Sequence, residues 1–363
     1  MKTIRILLPT VVFLSLMTGC LKEDPMKKPY TGFDPLDSGD GWIISTPSAE
    51  QIDSLALDKI YQDLYADDDY WMTKSLLVFR NGKLVAESYL KDDIDRTRID
   101  CLWSCTKQVN GIITGIAIDQ GYIGGVTDLV SDYLPEYIAK YPDKSTVTLE
   151  NLLMMGSGIS FDNGTQSDVF REHNTENSLD YVLGLDLMFE PGTGYHYNDG
   201  DPQIVSGIVQ AATGKTLDEY GKEVLFDPLG ITNYEWERYS DGVTLGGFGI
   251  LTCPRELAKI GQCVLDSGRH NGQQIIPLDW WEEMLSIKVP DAGGPFSFGY
   301  FWWSVPSKGY KLMWGHGGQY AFIVPEKRLM VVITSLTQLD DDVNVSTEEI
   351  MNNVVDRILL TAE

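Results

Sequence analysis

The chain has 363 residues and a formal charge of −25 at pH 7, from 53 acidic against 28 basic side chains. A balance of that sign argues against nucleic acid as a partner, since phosphate binding needs a basic face. The length exceeds what a single hydrophobic core usually fills, so two lobes are expected.

In chain order, Lys2 and Arg5 precede an apolar run from Ile6 to Met17 that is too short to span a bilayer as a helix. Residues 1–19 therefore read as an export signal. The run ends in Leu16-Met17-Thr18-Gly19-Cys20, which resembles a bacterial lipobox and implies lipid on Cys20. Leu21-Lys22-Glu23-Asp24 resembles the lysine-plus-two-acids signal of Bacteroidetes surface lipoproteins. The protein is thus expected to be exported and anchored to the cell envelope, at the outer membrane and on its surface if the second signal operates. No later apolar stretch reaches spanning length, so this lipid is the one membrane contact expected. Residues 20–55, rich in Pro, Gly and Asp between Lys22 and Ser48, suit a flexible tether.

Two strands, Ser75 to Arg80 and Lys83 to Ser88, flank Asn81-Gly82, whose residue types suit a two-residue hairpin turn with positive φ. From Val109 the apolar positions 109, 112, 113 and 116 follow helical spacing up to Gly121. Gly111 and Gly115 on that helix read as a site of close backbone approach. Residues 128–240 hold short amphipathic stretches, such as Leu149 to Met155 and Ile204 to Ala212, separated by Gly, Pro and Asn. They read as a mostly helical lobe. After Gly246-Gly247 come a helix from Pro254 to Leu265, aromatic-rich strand material from Phe296 to Val305, and strands Tyr320 to Val324 and Leu329 to Ser335. A last helix opens on the capping box Ser346-Thr-Glu-Glu349, with Ile350, Val354 and Ile358 on one face. Strands at both ends imply an α+β fold. An antiparallel sheet flanked by helices, from residues 56–127 and 241–363, would carry 128–240 as an inserted lobe.

The chemistry-bearing candidates begin at Ser104 and Lys107. If Ser104 opens the helix, its Oγ lies in the positive field of the N-terminus and the Lys107 amine, one turn on, reaches it. A serine hydroxyl needs such a neighbour because it is protonated at neutral pH. A second element is Pro191-Gly-Thr-Gly-Tyr-His-Tyr-Asn-Asp199, a turn-rich entry to a helix; a third is Trp314-Gly-His-Gly-Gly-Gln319, leading into a strand. The order of the three is more specific than any one of them.

These stretches, with "GIAIDQGYI", "VSDYLPEY", "VTLENLLMMGSGI", "FDPLGI" and "GGFGILTCPRELAKIGQ", resemble the serine β-lactamase and DD-peptidase superfamily from about Leu76 onward. The resemblance is to its class C-like hydrolases, which include esterases and 6-aminohexanoate-dimer hydrolases. It implies Ser104 as acylated nucleophile, Lys107 as its partner and Tyr197 as the tyrosine of a Tyr-x-Asn element. His316, Gly317 and Gly318 would stand in a Lys-Thr-Gly strand element, with an oxyanion hole from the N–H groups of Ser104 and Gln319. Two positions depart from the pattern. Asp199 stands where Asn is usual, and would hold Lys107 as an ammonium and move the role of base to Tyr197, its pKa lowered by that charge. His316 replaces lysine and removes a fixed charge that a β-lactam carboxylate would use, which favours an esterase or small-amide hydrolase.

The expected function is a serine hydrolase forming an acyl-enzyme on an ester or amide, whether β-lactam, peptide or small ester. The alternative is a binding or sensing lipoprotein of the same fold that acylates weakly or not at all. The partner is a small-molecule or peptide substrate, and no cofactor or metal is expected. Cys101, Cys105, Cys253 and Cys263 show no metal-binding spacing and are too few for a disulfide scaffold, so they read as small buried side chains. Ser157, which lacks a lysine three residues on, and His196, beside the matched Tyr197, read as structural. Trp302 and Trp303 alternate on a strand, one towards the core and one available to a cleft.

Overall fold

The computed structural model describes residues 27–336 and 346–362. The export signal and Cys20 lie outside the described residues. At the centre stands an eight-stranded sheet, in the order Ile43–Ile44, Lys83–Tyr89, Thr73–Arg80, Leu329–Ser335, Gln319–Val324, Tyr310–Gly315, Trp303–Val305, Ser297–Phe298. Its pairings are antiparallel except at one edge, where Ile43–Ile44 runs parallel to Lys83–Leu84 and makes the sheet mixed.

The hairpin forms where the sequence requires it. Asn81 and Gly82 take φ of 53° and 77°, the positive values for which those residue types are chosen. Thr73–Arg80 then pairs with Leu329–Ser335, Val78 opposite Val331, so the two ends of the chain close one sheet. Every residue of these two strands is buried. A strand buried on both faces must be covered on both. One cover is the helix Pro254–Leu265, which lies on Gln319–Val324 and Leu329–Ser335. The C-terminal helical segment Thr347–Thr361, capped by Ser346 Oγ accepting from Glu349 N at 3.2 Å, packs with the helix Ser54–Ala66.

The helix Cys105–Asp119 runs through the interior with Gly200–Thr213 on one side and the strand Tyr310–Gly315 on another. Its polar residues are buried too, so each needs a partner. Gln108 Nε2 donates to Phe301 O at 2.6 Å, and Asn110 Nδ2 to Pro202 O at 2.9 Å. Between residues 130 and 229 the elements are helices, all short but Gly200–Thr213, and a separate three-stranded sheet is formed by Asp100–Cys101, Ile250–Thr252 and Tyr234–Trp236.

Some elements differ from expectation. The stretch Phe296 to Val305 is two short strands broken at Phe301, whose φ is 61°. Residues 36–44, expected within a tether, are docked: Arg255 donates to Leu36 O at 2.6 Å and to Asp40 at 2.8 Å, and Ile43–Ile44 joins the sheet. Cys105, Cys253 and Cys263 are buried, Cys101 is half-buried, and all four are free thiols. Among the described residues no helix is long and apolar enough to cross a membrane.

Candidate active site

Ser104 sits at the junction between a strand and a helix. Cys101 pairs with Leu251, and Leu102 N donates to Ile250 O at 2.8 Å, fixing the chain that enters the turn. Trp103 then adopts φ of 50°, a strained value for a bulky side chain and one that clusters at functional sites. Ser104 is the N-cap rather than the first helical residue, although its own dihedrals are already helical (φ −63°, ψ −8°). Its N–H meets no backbone carbonyl among the described residues.

Lys107, wholly buried, directs its ammonium at three acceptors: Ser104 Oγ at 2.7 Å, Gly247 O at 2.9 Å, and the Asp199 carboxylate. Burial would lower its pKa, but Asp199 and Tyr197 outweigh it and the net shift is upward. The lysine is held charged, as the Asp199 departure implies.

Asp199 reaches Lys107 from the end of the loop Pro191–Asp199. Asn198 fixes that loop to the following helix, its Oδ1 accepting from Asp201 N at 2.7 Å and its Nδ2 donating to His196 O at 2.7 Å. Asp199 N donates to Asn163 Oδ1 at 2.9 Å, and its second carboxylate oxygen accepts from Ser167. Tyr197 lies beside both Ser104 and Lys107, its ring centroid 4.9 Å from the Lys107 ammonium, and both residues bear on its hydroxyl. Its ring packs against Trp303 at 5.3 Å and edge-on to Phe298 at 6.0 Å. Here the structure corrects an expectation. Burial, with Asp199 adding to it, outweighs the opposing pull of Lys107, so the phenol is raised in pKa rather than lowered. At neutral pH Tyr197 is a phenol.

The third element also differs. His316 to Gly318 form the turn between the strands Tyr310–Gly315 and Gln319–Val324, not strand themselves. Gly317 and Gly318 take φ of 73° and 92°, and a Cβ on Gly318 would fall 2.8 Å from Ser335 Oγ. Glycine is needed for both conformation and space. Gly315 touches the Ser104 turn directly, since a Cβ there would lie 2.0 Å from Leu102 O. His316 meets Trp103 edge-to-face at 5.4 Å. Gln319 is buried, its Nε2 donating to Ser335 O at 2.9 Å.

Together these elements enclose a cleft of about 580 Å³, lined by Ser104, Tyr197, Asp199 and His316 and by Trp103, Phe248, Trp303 and Trp314. Trp302 is in the core while Trp303 faces the cleft. Ser157 donates to Asp201 at 2.5 Å inside the protein, and His196 Nε2 lies 2.8 Å from Phe161 O. Sequence reasoning missed Asn163, Ser167, Asp168 and Arg171, which line the cleft from the helical lobe. They belong to none of the three motifs, and no spacing signals them.

A sheet flanked by helices, with a serine–lysine–tyrosine cluster in a cleft beside it, is the arrangement of the β-lactamase fold. The Beta-lactamase family model matches residues 73–350, and the chain belongs to this family. Protein flp of Staphylococcus aureus is 24% identical over 174 residues, 45% of this chain and 34% of flp. Lovastatin esterase of Penicillium rubens is 30% identical over 156 residues, 37% of this chain and 39% of the esterase. The chain thus spans about a third of the length of these curated relatives. The solved structure of a provisionally named 6-aminohexanoate-dimer hydrolase from Bacillus anthracis shares the fold, with a TM-score of 0.72 at 18% identity, covering 94% of this chain and 91% of that one.

Proposed function

We propose that the protein is a serine hydrolase that cleaves esters or amides through an acyl-enzyme, with Ser104 as nucleophile. The observation that carries this is the convergence of Ser104, Lys107 and Tyr197 at one cleft, with Lys107 donating to Ser104 Oγ and its ammonium beside the Tyr197 ring. Because Lys107 donates to Ser104 Oγ as an ammonium, the serine proton is directed to Tyr197 Oη. Tyr197 is itself protonated, so it relays rather than waits as a base. Ser104 Oγ adds to the carbonyl carbon as its proton passes to Tyr197, and Tyr197 gives its phenolic proton to the departing oxygen or nitrogen as that bond breaks. Water then attacks the acyl-enzyme by the reverse path, releasing the acid. The N–H groups of Ser104 and Gln319 would hold the oxyanion, with Gly317 and Gly318 shaping the turn beside it.

An ester or small amide fits better than a β-lactam. His316 supplies no fixed charge where a β-lactam carboxylate would bind, and the likeness to an esterase agrees with this. Intact mass after incubation with a fluorophosphonate, followed by peptide mapping, tests the assignment. One adduct is expected, on the Ser104 peptide and absent from Ser104→Ala. Labelling at Ser157, or none in protein that hydrolyses a p-nitrophenyl ester, overturns it. Lipid anchoring to the envelope through Cys20 is part of the same proposal. Metabolic labelling with an alkyne fatty acid should mark the wild type and not Cys20→Ala.

A further inference from the structure

The cleft lies in a strongly acidic chain, yet among the described residues that line it stands one guanidinium, from Arg171. Arg171 ends the short helix Gln166–Arg171 of the helical lobe, and its side chain is 33% exposed. Its guanidinium carbon lies over the Trp103 ring, 5.7 Å from the centroid. Trp103 is the residue before Ser104, so the cation is set one side chain away from the proposed nucleophile. The positive φ of Trp103 turns that indole to meet both Arg171 and His316. Asp168, one turn earlier, pairs with a single terminal nitrogen. A guanidinium carries five donors in a planar fork, so this pairing leaves most of the fork uncommitted. Phe248, Trp303 and Trp314 add apolar wall to the same cleft.

We propose that Arg171 selects substrates that join an apolar body to an anionic group, a carboxylate above all; this rests on the hydrolase reading given above. The aromatic walls take the body. Arg171 takes the anion through charge-assisted hydrogen bonds, stiffened by its stacking on Trp103. The fixed positive charge that a lysine at position 316 would bring enters the cleft instead from the opposite lobe. Asp168 competes with the substrate anion for the same fork and so sets how strongly it is held.

The test uses the full chain carrying Ser104→Ala, in which turnover plays no part, and two probes of equal size: 4-phenylbutyrate and its uncharged amide. Calorimetry should find the acid bound more tightly than the amide by about tenfold or more. Arg171→Gln should abolish that preference and Arg171→Lys keep part of it. Asp168→Asn, by freeing the fork, should enlarge it, an effect that a purely structural arginine would not give. Added salt should shrink the preference in proportion to screening. Equal binding of acid and amide, or a preference that survives Arg171→Gln in protein of unchanged circular dichroism, overturns the proposal. Fluorophosphonate labelling of Ser104 is a separate measurement, so failure of the hydrolase reading is told apart from failure of this one.

Discussion

Two buried cations in this molecule have almost the same surroundings and opposite consequences. Arg255, on the helix Pro254–Leu265, uses all five of its donors: Glu87 is gripped by Nε at 2.9 Å and Nη2 at 2.7 Å, and Ser38, Asp40 and Leu36 O take the rest. Lys107 likewise spends all three ammonium hydrogens, on Asp199, Gly247 O and Ser104. The difference lies in what the charge ends on. Every acceptor of Arg255 belongs to the scaffold, and Glu87 is 1% exposed, so the network is closed and staples residues 36–40 to the sheet. One acceptor of Lys107 is a hydroxyl facing a cleft, and Asp199 is itself 11% exposed there. A satisfied buried ion pair becomes chemistry only when one of its partners can leave the pair and react.

The comparison makes its sharpest statement about Lys107→Met and Arg255→Met. Lys107→Met should slow fluorophosphonate acylation roughly 10³-fold. Its cost in stability should be the smaller of the two, since water from the cleft can reach the Asp199 left behind. Arg255→Met takes from buried Glu87 its two closest cationic donors, leaving Arg96 Nε 3.6 Å away, and should cost about 3 kcal/mol of folding stability. The fraction that stays folded should react with the probe at the wild-type rate. Urea denaturation and labelling kinetics on both proteins decide the matter. A stability loss larger for Lys107→Met, or acylation lost in folded Arg255→Met, would erase the distinction between a staple and a reacting cluster.

The two clusters also differ in how readable they were. Ser104 and Lys107 sit one helical turn apart, so their contact follows from helix geometry. Tyr197, Asp199 and His316 were assigned only through resemblance to a family, and the structure brings them to the same cleft. Nothing in the sequence announces the Arg255–Glu87 pair, which spans 168 positions. The helix Pro254–Leu265 itself was read to the residue, because proline opens it and periodicity defines its face. Gly111 and Gly115 were read as a close approach of backbones. Gly111 does face the Tyr300 carbonyl, but a Cβ on Gly115 would collide with the Trp280 indole, a side chain whose direction no local pattern encodes. The docked residues 36–44 were hidden by composition: Pro, Gly and Asp look like a tether until the arginine that holds them is known. The sign of the Tyr197 shift was misjudged because burial, the largest contribution, is a property of the assembled cleft.

A smaller effect follows from restoring the residue usual in the family. Asp199 raises the pKa of Lys107 and also that of Tyr197. Asp199→Asn removes one negative charge at nearly constant shape, so both groups lose a proton more readily. Because the relay needs Lys107 as an ammonium and Tyr197 as a phenol, the falling alkaline limb of the acylation pH profile should therefore move to lower pH. An unmoved limb would mean that the Lys107–Asp199 pair, unlike Arg255–Glu87, leaves no electrostatic mark on its cation.

The smallest effect concerns a third buried carboxyl, two residues further on, that has no cation paired with it among the described residues. Asp201 is fully buried in the first turn of Gly200–Thr213, where burial pushes its pKa up to about 7. One oxygen accepts from Ser157 at 2.5 Å, while the other has no hydrogen-bond partner among the described residues. In the unfolded chain the same carboxyl titrates near its ordinary value of about 3.9. Between these two pH values the folded protein keeps a proton that the unfolded chain releases. Stability must therefore fall as pH rises from about 4 to about 7, by up to a few kcal/mol, and level off above that. Asp201→Asn cannot titrate. At pH 5 it replaces a neutral acid by an amide with one more donor to satisfy and should cost about 1–3 kcal/mol. By pH 8 the wild type has lost its own advantage, so the deficit should vanish or reverse. Urea denaturation of both proteins at the two pH values measures the change, and parallel stability curves would show that Asp201 is solvated and ionised like any surface aspartate. Glu87 and Asp199 each face a cation; Asp201 was given only a hydroxyl, which keeps a carboxyl hydrogen-bonded but cannot keep it charged.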